Sequence, residues 1–435
     1  MTVLRPEFPD HGSPFSRQRE RDRKTAAIRS AASKRFIAQG FQGTRLEDIA
    51  SDLGLTKTSI AYYFASKDEL AESVFLTAAE FLEDAVKAAG TADADAGERV
   101  LAVFEAYSDQ LIDALDGRRD QPAQLQELGT LPEEARSRIV SRLSAAVGSV
   151  DAMVLAWMNL APHGLGRSEP VTFCLIALLD WLKTSAGTMS RAEFSQASSV
   201  LLDVLRSGLT CSCETLAPIR PQFSPGNDLP QIFDRKARNK MKREAFLKAG
   251  IRFFNAYGFD GVSLADVAKS LGVTRGAFYY HIPDKESFLD QCMEHSLEVV
   301  EATLDSAADA HSGLGFIHRV LFDLIYTQAS GVTPLIRLGL MTALPIARQN
   351  RLQARLRNIS RRLGDAHAAA IADGAARELD TGTVEAILTN ILFLNDGFTL
   401  SAANSLKDWR ISEEPQSATN DYLHVLLYGL TAEPR

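Results

Sequence analysis

The sequence is poor in features that mark several functional classes. It has only 4 cysteines in 435 residues, too few and too scattered for a disulfide framework. Cys211 and Cys213 stand close together without a neighbouring His or Cys, so we predict no metal site and no cofactor. The net charge of −8 argues against a protein that coats nucleic acid over its whole surface.

Long apolar runs and enzyme signatures are also missing. No apolar run reaches the roughly 18 to 20 residues of a membrane span, and the N-terminal stretch lacks the apolar core of a secretory signal. We therefore expect a cytoplasmic protein with no membrane partner. The sequence contains no G-x-S-x-G, Walker-type loop, H-E-x-x-H pair or dinucleotide fingerprint, so no catalytic residues are predicted and an enzyme is not expected.

What the sequence does contain is a long internal repeat. The stretch GLTKTSIAYYFASKDEL at 54–70 recurs as GVTRGAFYYHIPDKESF at 272–288, at an offset of 218 residues. Further along, LLDVLRSGLT at 201–210 matches YLHVLLYGLT at 422–431, at an offset of 221. Because matches recur at both ends of each half, whole domains are duplicated. A period near 220 residues is far too long for a solenoid.

Basic residues cluster in front of both copies of the repeat. Residues 17–24, RQRERDRK, carry five basic and two acidic groups, and residues 235–243, RKARNKMKR, carry six basic groups and no acidic ones. Positive charge at equivalent places in an acidic chain indicates two local contacts with nucleic acid, along phosphates or in the minor groove.

Both halves show the signals of an all-helical protein. In the first half, an apolar stripe ends at Gly40, Thr44 is expected to cap the next helix with Glu47, and Thr56 and Ser66 to cap two more. The second half repeats these signals at Gly258, Ser263 with Asp266, Gly272, Thr274 and Asp284. Two short helices joined by a tight Gly-containing turn are typical of a helix-turn-helix module.

These residues resemble a known family. The stretch from about 24 to 70, with GFQGTRLEDIASDLGLTKTSIAYYFASKDEL, looks like the DNA-binding module of TetR-type transcriptional regulators. So does the stretch from 242 to 289, with GFDGVSLADVAKSLGVTRGAFYYHIPDKESFL. The resemblance implies units with three small DNA-binding helices and a larger bundle that dimerises and often holds a small-molecule effector. This chain departs from the family by carrying two modules, so we expect a dimer fused into one polypeptide.

The expected domain organisation follows from the repeat. The predicted parts are a basic arm at 1–23, a helix-turn-helix domain at 24–75, a bundle at 76–210, a linker and basic arm at 211–240, a second helix-turn-helix domain at 241–289 and a second bundle at 290–435. Within the arm-bearing connection, 211–234 is rich in Pro, Ser and Gly and is typical of a linker. The partner is then a double-stranded DNA operator with two half-sites, bound by a monomer with internal pseudo-two-fold pairing.

Candidate DNA-contacting residues follow from their positions in the modules. The residues expected to face base edges are Lys57, Thr58, Ser59 and Tyr62 in the first module and Arg275, Gly276, Ala277, Tyr279 and Tyr280 in the second. The residues at helix starts, where hydroxyls and backbone N–H groups suit phosphates, are Thr44, Arg45, Thr56, Ser263 and Thr274. By resemblance to the family's backbone-contacting positions, Tyr63, Lys67, His281 and Lys285 fix the register on DNA. Ile60, Phe64, Phe278 and Ile282 are assigned to the core.

An effector site is harder to derive, because apolar residues at helical spacing are also what a plain core contains. The candidate lining residues are Phe104, Tyr107, Met153 and Trp157 in the first bundle and Phe322, Tyr326, Arg337 and Met341 in the second. Family resemblance favours a repressor that an effector releases. An effector-independent regulator and a sequence-tolerant architectural protein stay open as alternatives, although the acidic net charge disfavours the second.

Overall fold

A computed structural model describes residues 14–90, 95–123, 128–160, 165–211, 235–330, 333–393 and 415–430. Within these ranges the regular structure is helical, and one isolated antiparallel bridge joins Thr210 to Ala376. The predicted all-α class of two tandem units is therefore confirmed. The predicted linker lies outside the described residues, apart from Cys211.

The two units repeat the same order of helices. In the first unit the helices are α1 Pro14–Gly43, α2 Leu46–Asp52, α3 Lys57–Ala61, α4 Lys67–Gly90, α5 Ala96–Leu115, α6 Glu133–Leu160, α7 Ser168–Ala186 and α8 Arg191–Ser207. In the second they are α9 Arg235–Gly261, α10 Leu264–Ser270, α11 Arg275–Tyr279, α12 Lys285–Ser306, α13 Gly313–Ala329, α14 Ile346–Ala372, α15 Thr381–Leu392 and α16 Pro415–Tyr428. Short 3₁₀ turns lie at Leu128–Thr130 and Leu338–Ala343.

Glycine breaks the first helix of each unit at the predicted position. Gly40 in α1 has φ 74° and Gly258 in α9 has φ 69°, a left-handed region that glycine enters without steric cost. Each break turns the chain into the short second helix. We call α1 to α3 with the start of α4 the first module, and α9 to α11 with the start of α12 the second module.

Two long helices cross the predicted domain boundaries without interruption. The boundary at 75/76 falls inside α4, and the boundary at 289/290 falls inside α12. The basic clusters are also helical, since α1 already begins at Pro14 and α9 at Arg235. Each module is therefore joined to its bundle by a continuous helix, which can pass a displacement in the bundle directly to the module.

The two bundles meet at a seam formed by α7 and α8 of the first unit and α15 and α16 of the second. The apolar stretch at 171–187 lies in this seam, and part of a second apolar stretch at 385–403 lies outside the described residues. At the seam the Leu209 N–H donates to the Leu426 carbonyl (2.9 Å), and the Leu430 N–H donates to the Leu205 carbonyl (2.7 Å). The 221-residue repeat relates these two bonds to each other, as in an isologous two-fold dimer interface.

Two equivalent glycines allow the backbones of the two units to approach each other closely at this seam. Gly208 and Gly429 have φ 72° and 78°. A Cβ atom on Gly208 would lie 2.2 Å from the Leu427 carbonyl oxygen, and one on Gly429 would lie 2.6 Å from the Gly208 nitrogen. The repeated Gly-Leu at 208–209 and 429–430 therefore lies at a close contact between the two units, and is not only a mark of shared ancestry.

Helix α6 bears on the expectation that the chain contains no membrane span. By length and composition alone it could cross a membrane, although no such span was expected. Its residues Ile139, Leu143, Val147 and Val150 are buried, and the helix packs on α4, α5 and α7. These contacts are those of a core helix, and they make α6 weak support for a membrane span.

Candidate nucleic-acid interface

A short capped helix lies at the outer face of each module. In α3 the Thr56 hydroxyl accepts from the Ser59 N–H (3.2 Å), and in α11 the Thr274 hydroxyl accepts from the Ala277 N–H (3.3 Å). Both predicted caps are confirmed. The residues assigned to the core, Ile60, Phe64, Phe278 and Ile282, are all buried, so each helix is fixed to its module by one apolar face.

The opposite face of each helix is open to solvent. Tyr62 is 70% exposed and Tyr280 is 84% exposed. Each tyrosine packs edge-to-face on the next residue: the Tyr62 and Tyr63 centroids are 5.1 Å apart, and those of Tyr280 and His281 are 5.0 Å apart. The other predicted base-facing residues are exposed too, except for half-buried Ser59; they are Lys57, Thr58, Arg275, Gly276, Ala277 and Tyr279.

The two exposed faces differ in charge. In the first module the Lys57 ammonium lies 2.7 Å from a carboxylate oxygen of Glu47, which stands near the start of α2. The hydrogen bond from Lys57 lowers the pKa of Glu47, so this carboxyl stays ionised at neutral pH. In the second module the equivalent positions hold Arg275 and Ala265, and Arg275 has no ion pair among the described residues.

The lysines predicted to contact phosphate hold the modules together in the structure. The Lys67 ammonium lies 4.3 Å from the centroid of Phe41, and the Lys285 ammonium lies 4.7 Å from that of Phe259. Lys285 also donates to the carbonyls of Asp260 (3.3 Å) and Val262 (3.2 Å). Each lysine therefore anchors the turn after the broken first helix, and a phosphate contact would have to share its ammonium.

Two predicted caps at the second helices are wrong in detail. Thr44 is only 1% exposed, and its hydroxyl donates to the Gly40 carbonyl (2.8 Å), so it neither caps α2 nor presents a hydroxyl to DNA. Arg45 occupies the N-cap position of α2, and the Asp48 carboxylate, not Glu47, accepts from its backbone N–H (3.3 Å). Ser263 does occupy the N-cap of α10 and is exposed, but its side chain makes no capping bond.

A groove separates α1 from α3 in the first module. It encloses about 520 Å³ and is lined by Ile28, Tyr62 and Tyr63 among others. In the second module the position of Ile28 is taken by Phe246, whose ring packs on Phe278 (5.2 Å) and His281 (5.8 Å). The larger side chain thus places an aromatic ring of α9 against Phe278 of α11.

The predicted effector-lining residues are mostly core and junction residues. Phe104, Tyr107, Phe322 and Met341 are buried in the bundles, and Met153 and Tyr326 are half-buried. Trp157 donates its indole N–H to the Leu430 carbonyl (2.7 Å) across the seam. An effector role for these residues stays a prediction.

Arg337 joins the second module to its bundle. It is 3% exposed and donates to the carbonyls of Phe254 (3.2 Å) and Asn255, while its own N–H donates to the Asn255 side chain (3.0 Å). Sequence reasoning missed Asn255 and the partnership of Glu47 with Lys57. Alignment of the two copies of the repeat, in which Glu47 corresponds to Ala265, was the signal that could have identified the pair of Glu47 with Lys57.

Comparison with known proteins addresses the modules directly. The sequence profile described as bacterial regulatory proteins, tetR family, matches residues 28–74 and again residues 246–292. This chain carries two TetR-family domains in tandem. Both matches coincide with the modules, so the TetR-family resemblance of their sequences is confirmed, while the bundles lie outside the matched residues.

Curated relatives match a TetR module and little else. The HTH-type transcriptional regulator RutR of Escherichia coli strain K12 is 50% identical over 54 residues, which are 12% of this chain and 26% of RutR. The tetracycline repressor protein class C of Escherichia coli is 33% identical over 61 residues, 14% of this chain and 28% of the repressor. The chain thus spans about a quarter of the length of the curated relatives it matches.

Solved structures of TetR-family regulators align with part of this chain. A TetR family transcriptional regulator, PfmR from Thermus thermophilus, is 16% identical and aligns with 42% of this chain and 96% of its own, with a TM-score of 0.31. A regulatory protein in the tetR family from Rhodococcus RHA1 is likewise 16% identical over 42% of this chain and 95% of its own, with a TM-score of 0.32.

Proposed function

We propose that this chain is a transcriptional regulator that binds one double-stranded DNA operator with both TetR-family modules, as a covalently fused pseudo-dimer. It acts in the cytoplasm as a repressor and has no enzymatic activity. The two family domains support DNA-binding regulation. The tetracycline repressor among the relatives supports repression.

The observation that carries the proposal is the exchange of backbone hydrogen bonds between Leu209 and Leu426 and between Leu430 and Leu205. It supports a pseudo-two-fold relation between the bundles, and through α4 and α12 a fixed relation between the modules. Dimeric helix-turn-helix proteins place two such helices in successive major grooves, about 34 to 36 Å apart. An internal seam supports such a pair of helices in one chain, without a second copy.

The side chains support a division of roles on DNA. Lys57 and Arg275 stand at the exposed starts of α3 and α11, where long cationic side chains reach guanine O6 and N7. Tyr62 and Tyr280 extend from the ends of the same helices, and Arg45 stands exposed at the start of α2. The guanidinium of Arg21 lies 5.8 Å from the Tyr62 ring, which brings the basic part of α1 beside this surface.

Selection from a random DNA pool with the full chain tests the proposal. Because the two exposed faces differ, we expect an operator whose half-sites differ in sequence and keep one-turn spacing, bound in a single orientation. Light scattering should give the mass of one 47.5 kDa chain for the free protein, and the mass of one chain plus one duplex for the complex with operator DNA. Recovery of a perfect inverted repeat, bound at least as tightly as any asymmetric site, would contradict the asymmetric part of the proposal.

The same selection distinguishes the alternative function. An architectural protein would enrich no sequence, and its binding would follow the salt concentration alone, since phosphate contacts dominate non-specific affinity. The exposed residues Glu47, Tyr62 and Tyr280 favour sequence-selective binding, because a carboxylate and two aromatic rings contribute little to phosphate neutralisation.

Release by a small-molecule effector is the finer part of the proposal. Arg337 supports it, because this residue links the bundle to the end of the long segment of α9 through two carbonyls. A ligand that moved residues 333–337 would therefore alter the tilt of the second module. A ligand shifts such an equilibrium only by its differential affinity for the two states. Thermal-shift screening of small molecules, followed by operator-release assays with each hit, tests this part.

A further inference from the structure

The ion pair on the first module has no counterpart on the second. Glu47 and Lys57 come from different helices, α2 and α3, and their charged groups meet at 2.7 Å at the edge of the exposed face. The repeat places Ala265 and Arg275 at the same positions of the second module. At these two positions the first face therefore presents a donor and an acceptor side by side, and the second presents a donor without an acceptor.

The pair can exchange its partners without much loss. The side chains of Lys57 and Glu47 are 61% and 56% exposed, and ion pairs between such exposed groups contribute little to stability because water screens them. Both groups remain hydrated and can turn outward together. A base pair that offers matching groups can thus replace the water around them.

The edges of a G·C pair match this arrangement. Guanine presents O6 and N7 as acceptors in the major groove, and cytosine presents its N4 amino group as a donor beside them. Lysine donates to the guanine atoms, and a glutamate carboxylate accepts from cytosine N4. A carboxylate that faces an acceptor, a methyl group or a phosphate is instead repelled or left without its hydrogen bonds.

We propose that Glu47 is a specificity-determining residue of the first module, whose carboxylate requires a cytosine amino group beside the guanine that Lys57 contacts. The inference rests on the proposed function, since it assumes that both modules bind operator DNA. Arg275, with Ala265 beside it, binds guanine bidentately and imposes no such requirement. Glu47 also lowers the affinity of the first module for unrelated DNA, because it occupies the lysine and repels phosphates.

The test compares variants of the full chain on the selected operator and on a panel carrying every single base-pair change. Glu47→Ala removes the carboxylate, and Glu47→Gln keeps the size of the side chain and removes the charge. Ala265→Glu adds a carboxylate to the second module, and Glu134→Ala removes an exposed one from α6 in the bundle as the matched control. All three positions are helical, and the new residues are good helix formers.

We expect Glu47→Ala to lose roughly 5- to 100-fold discrimination at one base pair of the first half-site, with the second half-site unchanged. Its affinity for unrelated DNA should rise several-fold, and its salt slope should steepen by about 0.9 because the freed Lys57 can contact a phosphate. Ala265→Glu should create a new restriction in the second half-site. Glu134→Ala should match the natural chain.

Two results would overturn the inference while leaving the proposed function intact. One is an unchanged base profile for both Glu47→Ala and Glu47→Gln on an operator that the natural chain selects. The other is a uniform loss of affinity at every position of the panel, which would make Glu47 a purely structural residue. If the natural chain selects no sequence at all, the proposed function itself is wrong.

Discussion

The seam between the units and the exposed faces of the modules have diverged to very different degrees. At the seam, Gly208 and Gly429 keep the same left-handed backbone, and the two flanking hydrogen bonds are related by the repeat. On the modules, the ion-paired Lys57 and Glu47 of the first copy correspond to Arg275 and Ala265 of the second. Symmetry persists where two copies of one segment fit each other, and it is lost on the exposed faces that we propose bind different half-sites.

The inside of the modules shows an intermediate case. The break glycines, the threonine caps and the lysine-on-phenylalanine contacts recur in both modules with nearly equal geometry. The residue behind the exposed helix does not recur, since Ile28 lines a groove in the first module and Phe246 packs its ring on Phe278 in the second. The two modules thus share their helix breaks, caps and lysine contacts, and they differ in the packing behind the exposed helix and in the exposed residues.

The largest effect is expected at the seam itself. Gly208→Ala should lower the free energy of unfolding by about 3 to 5 kcal/mol, because φ 72° with ψ −178° is accessible almost only to glycine and the new methyl group would overlap the Leu427 carbonyl. Urea denaturation measures it. Gly117→Ala is the control: its φ is 73° with open space around it, so only the backbone cost of about 1 kcal/mol should appear. Equal losses for both variants would show that the close approach at the seam is unimportant.

A second comparison concerns the junctions between module and bundle. Arg337→Ala should cost about 3 kcal/mol, because it removes a buried charged donor and leaves the carbonyls of Phe254 and Asn255 without it. The corresponding junction of the first unit uses Arg29, which is partly exposed and pairs with Asp120 at 3.2 Å. Arg29→Ala should therefore cost about 1 kcal/mol or less. Similar losses in parallel denaturation curves would mean that the two junctions are equivalent.

Much of the frame followed from the sequence, because local signals determine it. Gly40, Thr56 and Asp284 act through their own backbone or the residue three positions on, so their roles were predictable. The predicted cap at Thr44 is wrong because its hydroxyl donates to the carbonyl of Gly40, where the first helix breaks. Arg337 was predicted to line a cavity. The sequence carries no information about which carbonyls of a distant segment its side chain meets.

The third prediction separates the units by pH. Six of the eight histidines lie in the second unit, and burial lowers the pKa of His318 to about 4, with the charge of Arg319 as the smaller cause. The unfolded chain binds this proton near pH 6.5, so stability should fall by about 3 kcal/mol between pH 6.5 and 4 and not further from this group below pH 4. Burial also lowers the pKa of His367, which adds in the same direction.

Hydrogen exchange in α13 and α5 at a series of pH values measures this difference. Protection should fall first in α13, which carries His318, and later in α5. His318→Phe keeps a ring beside Phe322 and should flatten the pH dependence of α13. A parallel loss of protection in both helices, unchanged in this variant, would contradict a histidine origin.

The smallest effect is expected at a feature that the two modules share, the lysine that lies over a phenylalanine ring. Lys67→Met and Lys285→Met each remove an ammonium that lies over a phenylalanine ring and is predicted to contact a phosphate. If that contact forms, each variant should bind every DNA sequence several-fold more weakly, with a salt slope reduced by about 0.9 and an unchanged base profile. Because Lys285 already donates to two carbonyls, its variant should also melt at a lower temperature than the natural chain. An unchanged slope together with a lower melting temperature would mean that these lysines only hold the turn, and that the register on DNA is fixed by Arg45 and the basic part of α1.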